Sequence, residues 1–162
     1  MGSHEHHNIG FISTRLAGMD GVSLETRKWA KIFEQEGFSC FYMAGELDHP
    51  PERSFLVEEA HFTHPEIVAI QNESFGVQTR KPSVTQKIQD VKNILEERIY
   101  EFIRKFDLDL LVPANVLAIP MNLPLDLAIT EVISETNIAA IAHHHDFHWE
   151  RTRFVKNAVN DY

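Results

Sequence analysis

Short apolar runs alternate with longer stretches of helical periodicity along this chain. Near the start, residues 8–13 form an apolar run, a glycine-containing turn follows at residues 18–21, and helical periodicity extends over residues 22–37. A second apolar run, residues 38–44, comes directly after Gly37, a typical residue at the end of a helix. A strand, a helix and a second strand within about 40 residues form a βαβ unit, which predicts a parallel sheet.

The later part of the chain repeats this alternation. Its longest apolar stripe recurs every three or four positions over about five helical turns. The members of this stripe are Val84, Ile88, Val91, Leu95, Ile99 and Phe102. Ser83 followed three residues later by Gln86 fits a capping box and predicts that Ser83 is the N-cap of this helix. Buried strands are predicted at residues 108–112 and 138–142, with a helix over residues 123–136 between them.

The segment between these two parts is less regular. Residues 55–60 are predicted as a short third strand and residues 65–75 as a short helix that begins at Pro65. Asn122 is predicted to cap the helix that follows it. Taken together, the elements predict an α/β fold, a Rossmann-like three-layer domain with a mostly parallel sheet.

Composition narrows the classes of function. The chain has 162 residues, of which 43% are hydrophobic and 24% charged, as expected for one globular domain. Its net charge of -9 disfavours nucleic acid as a partner, and it does not indicate peripheral membrane association. Cys40 is the single cysteine, so no intramolecular disulfide can form. We expect residues 1–7 to be a flexible or tag-like terminus, residues 8–162 to form the domain, and the setting to be cytoplasmic.

Candidate ligand-binding loops follow three of the predicted strands. They are residues 14–21, residues 113–122 and residues 143–149. Open parallel sheets bind ligands at the carboxyl ends of their strands. If the three strands are parallel, these loops line one crevice.

The first of these loops allows two interpretations. Gly18, Gly21 and Ser23 are small residues beside a helix N-terminus, which offers free N–H groups to an anion. Alternatively, the segment is a simple glycine turn whose helix is capped by Asp20 or Ser23. The G-x-G-x-x-G fingerprint is absent. Arg15 lies at the same edge and either meets an anionic group or is solvated.

A run of histidines follows the last predicted strand. Its members are His143, His144, His145 and His148, with Asp146 among them. Alternation along an extended backbone sends His143 and His145 to one face and His144 to the other. Three interpretations of the run remain open. It is a substrate site, since imidazole N–H groups can bond sugar hydroxyls, or a strand end whose histidines pack within the protein. The third interpretation is a metal site, although the spacing of the run fits no zinc signature.

Other residues near these loops carry weaker signals. Asn115 lies at a strand end, and the sequence favours contact with a ligand no more than a position without such contact. Phe147 and Trp149 can stack on a sugar ring, although core packing is the favoured interpretation. No G-x-S-x-G elbow, Walker loop or C-x-x-C pair is present.

Three stretches together resemble the N-terminal domain of the GT-B retaining glycosyltransferases of family 4, also called group 1. The resemblance covers nearly the whole chain. Its stretches are residues 9–14 with 18–23 and 25–27, Asn115 with residues 120–125, and residues 143–150. The resemblance implies two Rossmann-like domains that face each other across a cleft. The N-terminal domain then binds the acceptor, and the C-terminal domain binds the nucleotide sugar.

The resemblance also implies roles for individual residues. A histidine ahead of an aspartate contacts the transferred sugar, which assigns catalytic roles to His145 and its neighbour Asp146, with His144 as the alternative. The residues implied to bind substrate are Arg15, Gly18, Asp20, Gly21, Val22, Ser23, Asn115 and His144. The family needs no cofactor and usually no metal, because helix N-termini and basic side chains stabilise the leaving group.

The chain is too short for the donor-binding domain that the resemblance implies. We therefore expect a truncated piece of a longer transferase, inactive alone and with little or no affinity for a nucleotide sugar. The expected partners are a sugar or sugar-derived acceptor and, through the missing domain, a nucleotide-sugar co-substrate. Two alternatives remain: a stand-alone α/β binding or regulatory module, and a metal-dependent hydrolase built on the histidine run.

Overall fold

The protein is an α/β domain with a five-stranded, all-parallel sheet between layers of helices, as the sequence predicts. The computed structural model describes residues 7–162. The expected flexible terminus covers residues 1–7, and residues 1–6 of it lie outside the described residues. In chain order the elements are β1 (Asn8–Ile12), α1 (Gly21–Gln35), β2 (Ser39–Ala44), β3 (Ser54–Leu56), α2 (Pro65–Ser74), α3 (Pro82–Phe106), β4 (Leu110–Pro113), α4 (Leu123–Thr136), β5 (Ala139–Ala140) and α5 (Thr152–Val155).

The strand order is β3-β2-β1-β4-β5, so β1 is central. Ile9 of β1 pairs with Cys40 on one side and with Leu110 on the other. Alternation along β1 sends Ile9 and Phe11 to the face covered by α1, and Ile12 to the face covered by α2, α3 and α4. The two faces make two buried clusters, which is the three-layer arrangement of a Rossmann-like domain.

The long helix α3 begins differently from the prediction. Lys81 is its N-cap, Pro82 is its first residue, and no side chain caps it. The fixed φ of proline suits the first helical position, so Ser83 already lies inside the helix. The Gln86 side chain donates to Asp90 instead, at 2.9 Å. The predicted capping box is therefore wrong, whereas the apolar stripe of α3 is buried throughout.

The last strand also differs from the prediction of a buried strand over residues 138–142. The strand itself is limited to Ala139 and Ala140, which pair with β4 and are both exposed. Beyond it, the N–H groups of Ile141 and His143 still donate to the Leu111 and Pro113 carbonyls of β4, both at 2.9 Å. Within the described residues β5 is the outer strand of the sheet, so apolar composition did not correspond to burial here. No helix of the described residues is long and apolar enough to cross a membrane.

Helix α4 begins as predicted, at an asparagine cap. The Asn122 side chain accepts from Leu125 N at 3.1 Å. Its Nδ2 donates to the carbonyl oxygens of Glu59 and Ala60, at 2.9 and 3.0 Å. Asn122 therefore fixes both the start of α4 and the loop that precedes α2.

Asp126, in the first turn of α4, makes stability depend on pH. Its Oδ1 is buried without a partner among the described residues, and this burial raises the pKa of Asp126 well above its ordinary range. The folded state then holds the proton more tightly than the unfolded chain. The contribution of Asp126 to stability is therefore complete below the pKa of the unfolded chain, about 3.9, and is lost as the pH rises through the pKa of the folded state.

The variant Asp126→Asn is accordingly expected to raise the urea midpoint of unfolding at pH 7, because it removes the charge of a half-buried carboxylate whose Oδ1 has no partner among the described residues. The gain should shrink towards pH 4, where the parent carboxyl is protonated. Glu97→Gln is the matched control, because it neutralises an exposed carboxylate on α3. It should leave the urea midpoint unchanged. A gain for Asp126→Asn that is the same at both pH values would contradict this account.

Candidate functional site

A crevice of about 300 Å³ lies at the carboxyl edge of the sheet. We call it the sheet-edge crevice. The loops after β1, β4 and β5 all contribute to it, as their parallel strands predict. Its lining consists of Ser13, Thr14, Arg15, Asp20, Val22, Phe62, Asn115, Ile119, Met121, Asp146, Arg151 and Arg153. The Ser13 hydroxyl donates to the Ala114 carbonyl at 2.8 Å, which ties the ends of β1 and β4 together beneath the crevice.

The crevice brings together half of the residues singled out in the sequence. Arg15, Asp20, Val22, Asn115 and Asp146 line it. The other five are not in its lining: Gly18, Gly21, Ser23, His144 and His145. These five lie in the same loops and in the first turn of α1.

Asp20 is the N-cap of α1, in agreement with one of the two interpretations of the glycine turn. Its Oδ1 accepts from Ser23 N at 3.0 Å, and its Oδ2 accepts from the Ser23 hydroxyl at 2.7 Å. Burial acts to raise the pKa of Asp20, but the Ser23 hydrogen bonds and the Arg15 charge outweigh it and lower the pKa. A carboxylate therefore stands at this helix N-terminus, and the Ser23 side chain is fully buried.

Gly18 is held by two residues that the sequence did not single out as site residues. Its N–H donates to Asp48 Oδ2 at 2.8 Å, and its carbonyl accepts from Arg27 Nη1 at 2.8 Å. Arg27 Nη2 also bonds both oxygens of Asp48, at 2.7 Å. The hydrogen bond from Gly18 N and the Arg27 guanidinium lower the pKa of Asp48. This charged clamp fixes a turn in which Gly18 has a φ of +76°, where glycine is favoured.

Asn115 positions the histidine loop. Its Oδ1 accepts from the backbone N–H groups of His145 and Asp146, at 3.0 and 3.1 Å. Its own N–H donates to the His143 carbonyl at 2.7 Å. Asn115 has a φ of +54°, a left-handed conformation that asparagine tolerates better than most residues. Its contacts within the protein are therefore those of a positioning residue, and it also lines the crevice.

The histidines alternate as predicted. His143 stacks on Trp29 with ring centroids 4.5 Å apart, and its ring lies 4.8 Å from that of His145. The ring of His144 instead lies 5.9 Å from that of Phe147. Burial lowers the pKa of His143, and the neighbouring His145 and His144 lower it further. His144 and His145 themselves are exposed and do not line the crevice, although they directly precede Asp146, which does.

Two aromatic residues of this loop contradict the sequence-based expectation of core packing. Phe147 and Trp149 are exposed and stack on each other, with centroids 4.7 Å apart. They follow the outer strand β5, where no described element covers them. Neither lines the sheet-edge crevice.

The charges in the crevice are mostly paired. Arg151 Nη2 bonds Asp146 Oδ2 at 3.1 Å. Arg15 bonds Glu46 at 2.9 Å and lies 3.5 Å from Asp20. Within residues 7–162, no three His, Cys, Asp or Glu side chains converge into a group that could hold a metal ion. The crevice can therefore offer alternating carboxylates and guanidinium groups, which suit hydroxyl-rich ligands.

A second cavity of about 390 Å³ adjoins the sheet-edge crevice. We call it the side cavity. Phe62, Met121 and Arg153 line both cavities. The remaining residues of its lining are Val68, Gln71, Asn72, Phe75 and Gly76. Sequence patterns did not indicate this cavity, because it forms between α2 and the chain around α5, which are distant in sequence.

The chain is similar to two curated proteins. It is 29% identical over 160 residues to a mannosylglucosylglycerate synthase of Petrotoga mobilis, covering 95% of this chain and 35% of that protein. It is 30% identical over 150 residues to a mannosylglucosylglycerate synthase of Thermotoga maritima, covering 91% of this chain and 33% of that protein. No family model matches the chain, and no solved structure does. Over nearly all of its described length, this α/β domain is thus similar to about one third of two mannosylglucosylglycerate synthases.

Proposed function

We propose that this chain is the acceptor-binding part of a glycosyltransferase that glycosylates a sugar-bearing glycerate. The observation that carries the proposal is the similarity of 91% or more of the chain to synthases of a compound with mannosyl, glucosyl and glycerate units. The sheet-edge crevice supports it, because ligands of open parallel sheets bind at that edge. The chain spans about a third of those relatives, so the donor site belongs to the remainder of a longer protein.

The acceptor proposed for the crevice is glucosylglycerate. Mannosyl transfer to one hydroxyl of this compound produces a mannosylglucosylglycerate, the product named for the relatives. The crevice offers Asp20 and Asp146 as hydrogen-bond acceptors for sugar hydroxyls, and Phe62 as an apolar surface for a sugar ring. Its volume of about 300 Å³ suits a small glycoside.

His145 and Asp146 carry the catalytic roles in this proposal. Both lie in the loop that Asn115 holds, so they are presented together at the carboxyl edge of the sheet. His145 contacts the transferred sugar at the rim, with His144 beside it, and Asp146 faces the acceptor. An exposed rim position suits a residue that meets a donor bound on a second, facing domain.

The glycine turn and its helix make the remaining substrate contacts in this proposal. Gly18, Gly21 and Val22 let the acceptor approach the backbone, while Asp20 and Ser23 hold the start of α1. The parent enzyme has a GT-B arrangement, retains anomeric configuration, and needs no metal or cofactor beyond its nucleotide-sugar co-substrate. The isolated chain has no transferase activity, because the donor half is required.

Calorimetry on the isolated chain tests the proposal. We expect saturable, one-to-one binding of glucosylglycerate and no saturable binding of GDP-mannose or UDP-glucose at micromolar concentrations. The physical reason is that, in this proposal, the acceptor contacts lie within this chain, whereas the nucleotide and most of the donor contacts belong to the remainder of the longer protein. Micromolar binding of a nucleotide sugar together with no binding of the acceptor would overturn the assignment.

A further inference from the structure

Arg153 is held at the junction of the two cavities by its neighbour. Phe154 is fully buried and packs edge-on against Phe75, with centroids 5.0 Å apart. The Arg153 guanidinium lies over the Phe154 ring at 4.4 Å, and its Nη2 lies 2.8 Å from Met121 Sδ. The fold therefore fixes the backbone of Arg153 and directs its charged group into the space between the sheet-edge crevice and the side cavity.

Arg153 lacks the carboxylate partner that the neighbouring arginines have. Arg15 and Arg151, the other two arginines of the sheet-edge crevice, both bond carboxylates. Among the described residues no carboxylate lies within 4.0 Å of the Arg153 guanidinium. Its Met121 contact is to a thioether, which is a weak acceptor, so N–H groups of the fork stay available to a ligand. The chain has 24 acidic and 15 basic residues, so carboxylate partners are plentiful. The lack of one at Arg153 therefore indicates that its charge is available to a ligand.

The side cavity favours an anion. No Asp or Glu is among the residues of its lining, and Arg153 is the charged residue among them. Gln71 Nε2 already donates to the carbonyls of Pro120 and Met121, at 2.6 and 2.8 Å, so Gln71 tightens the wall rather than competing for Arg153. The two cavities thus differ in charge: paired acids and bases in the sheet-edge crevice, and one guanidinium in the side cavity.

We propose that Arg153 binds the carboxylate of the acceptor and makes the site specific for an anionic glycoside. The acceptor spans both cavities, with its sugar in the sheet-edge crevice, its carboxylate on Arg153, and Phe62 between them. A planar guanidinium can bond both oxygens of a carboxylate, which adds geometric selectivity to charge attraction. This inference rests on the proposed function and adds to it the residue that selects the substrate class.

Calorimetric titration with a matched pair of ligands tests this role. Glucosylglycerate carries the carboxylate, and glucosylglycerol has a neutral hydroxymethyl group in its place. We expect the parent chain to bind glucosylglycerate at least tenfold more tightly than glucosylglycerol. Arg153→Gln should remove this preference by weakening only the glucosylglycerate complex, and Arg153→Lys should restore part of it.

Lys156→Gln is the matched control, since Lys156 is an exposed cation of the same segment that lines neither cavity. It should keep the tenfold preference, which separates contact with Arg153 from net charge. The role of Arg153 would be overturned if the parent chain bound both ligands with equal affinity. It would also be overturned if Arg153→Gln weakened the binding of both ligands by the same factor. Either result would leave acceptor binding itself intact. Absence of binding for both ligands would overturn the proposed function and, with it, this role.

Discussion

The variant Gly45→Ala is expected to destabilise the fold by about 3 kcal/mol. A Cβ at Gly45 would lie 2.3 Å from His61 N and 2.4 Å from His61 Cα. Both are backbone atoms, so the clash cannot be relieved by rotating a side chain. Gly45 N also donates to the Thr14 carbonyl at 3.0 Å, so a shift of this backbone would disturb the loop after β1. Urea denaturation followed by circular dichroism measures the loss.

Gly21→Ala is the matched control for this substitution. Apart from its chain neighbours and the backbone of its own helix, no atom lies within 4 Å of a Cβ at Gly21, which opens helix α1. Its stability should stay within about 0.5 kcal/mol of the parent, because alanine is at least as good a helix former as glycine. A cost of Gly45→Ala no larger than that of Gly21→Ala would contradict a backbone clash at position 45.

The second large effect is expected from Asn115→Ala, which removes the acceptor for two backbone N–H groups of the histidine loop. Each lost hydrogen bond costs about 1 kcal/mol, and alanine at a φ of +54° adds about 1 kcal/mol of backbone strain. We expect a loss of about 2 to 3 kcal/mol and at least a tenfold weakening of glucosylglycerate binding. Urea denaturation and calorimetry on the same preparation give the two values.

Asn137→Ala separates backbone strain from loop support. Asn137 has the same φ, +54°, but it caps the end of α4, at the opposite edge of the sheet. Its substitution should cost about 1 kcal/mol and leave acceptor binding unchanged. If Asn137→Ala weakens binding as much as Asn115→Ala does, the effect is a general loss of stability, and Asn115 has no special role in positioning His145 and Asp146.

Much of the fold could be predicted from the sequence, because its signals are local. Hydrophobic periodicity located α1, α3 and α4, and Asn122 caps its helix as predicted. The alternation of His143 and His145 against His144 follows from extended backbone geometry alone. The boundaries were less predictable: Ser83 was expected to be the N-cap of α3, whereas Lys81 is the N-cap and Pro82 is the first residue of the helix.

The parts that could not be predicted depend on long-range contacts. The clamp on Gly18 joins Arg27 to Asp48, which are 21 positions apart and separated by β2. Phe62 and Arg153 both line the two cavities although they belong to separate parts of the chain. No motif or periodicity marks such residues. The exposure of β5 could not be predicted for a related reason, since burial of a strand depends on which elements cover it and not on its own composition.

The location of acceptor binding is the most direct test of the account. Backbone amide shifts of the isolated chain should be recorded by NMR during titration with glucosylglycerate. We expect the largest changes on Ser13, Asn115 and Asp146 at the carboxyl edge of the sheet, and no change on Gly37 and Asn137 at the opposite edge. Saturating shifts confined to the opposite edge, or none at any residue, would contradict the claim that the sheet-edge crevice binds a glycosyl acceptor.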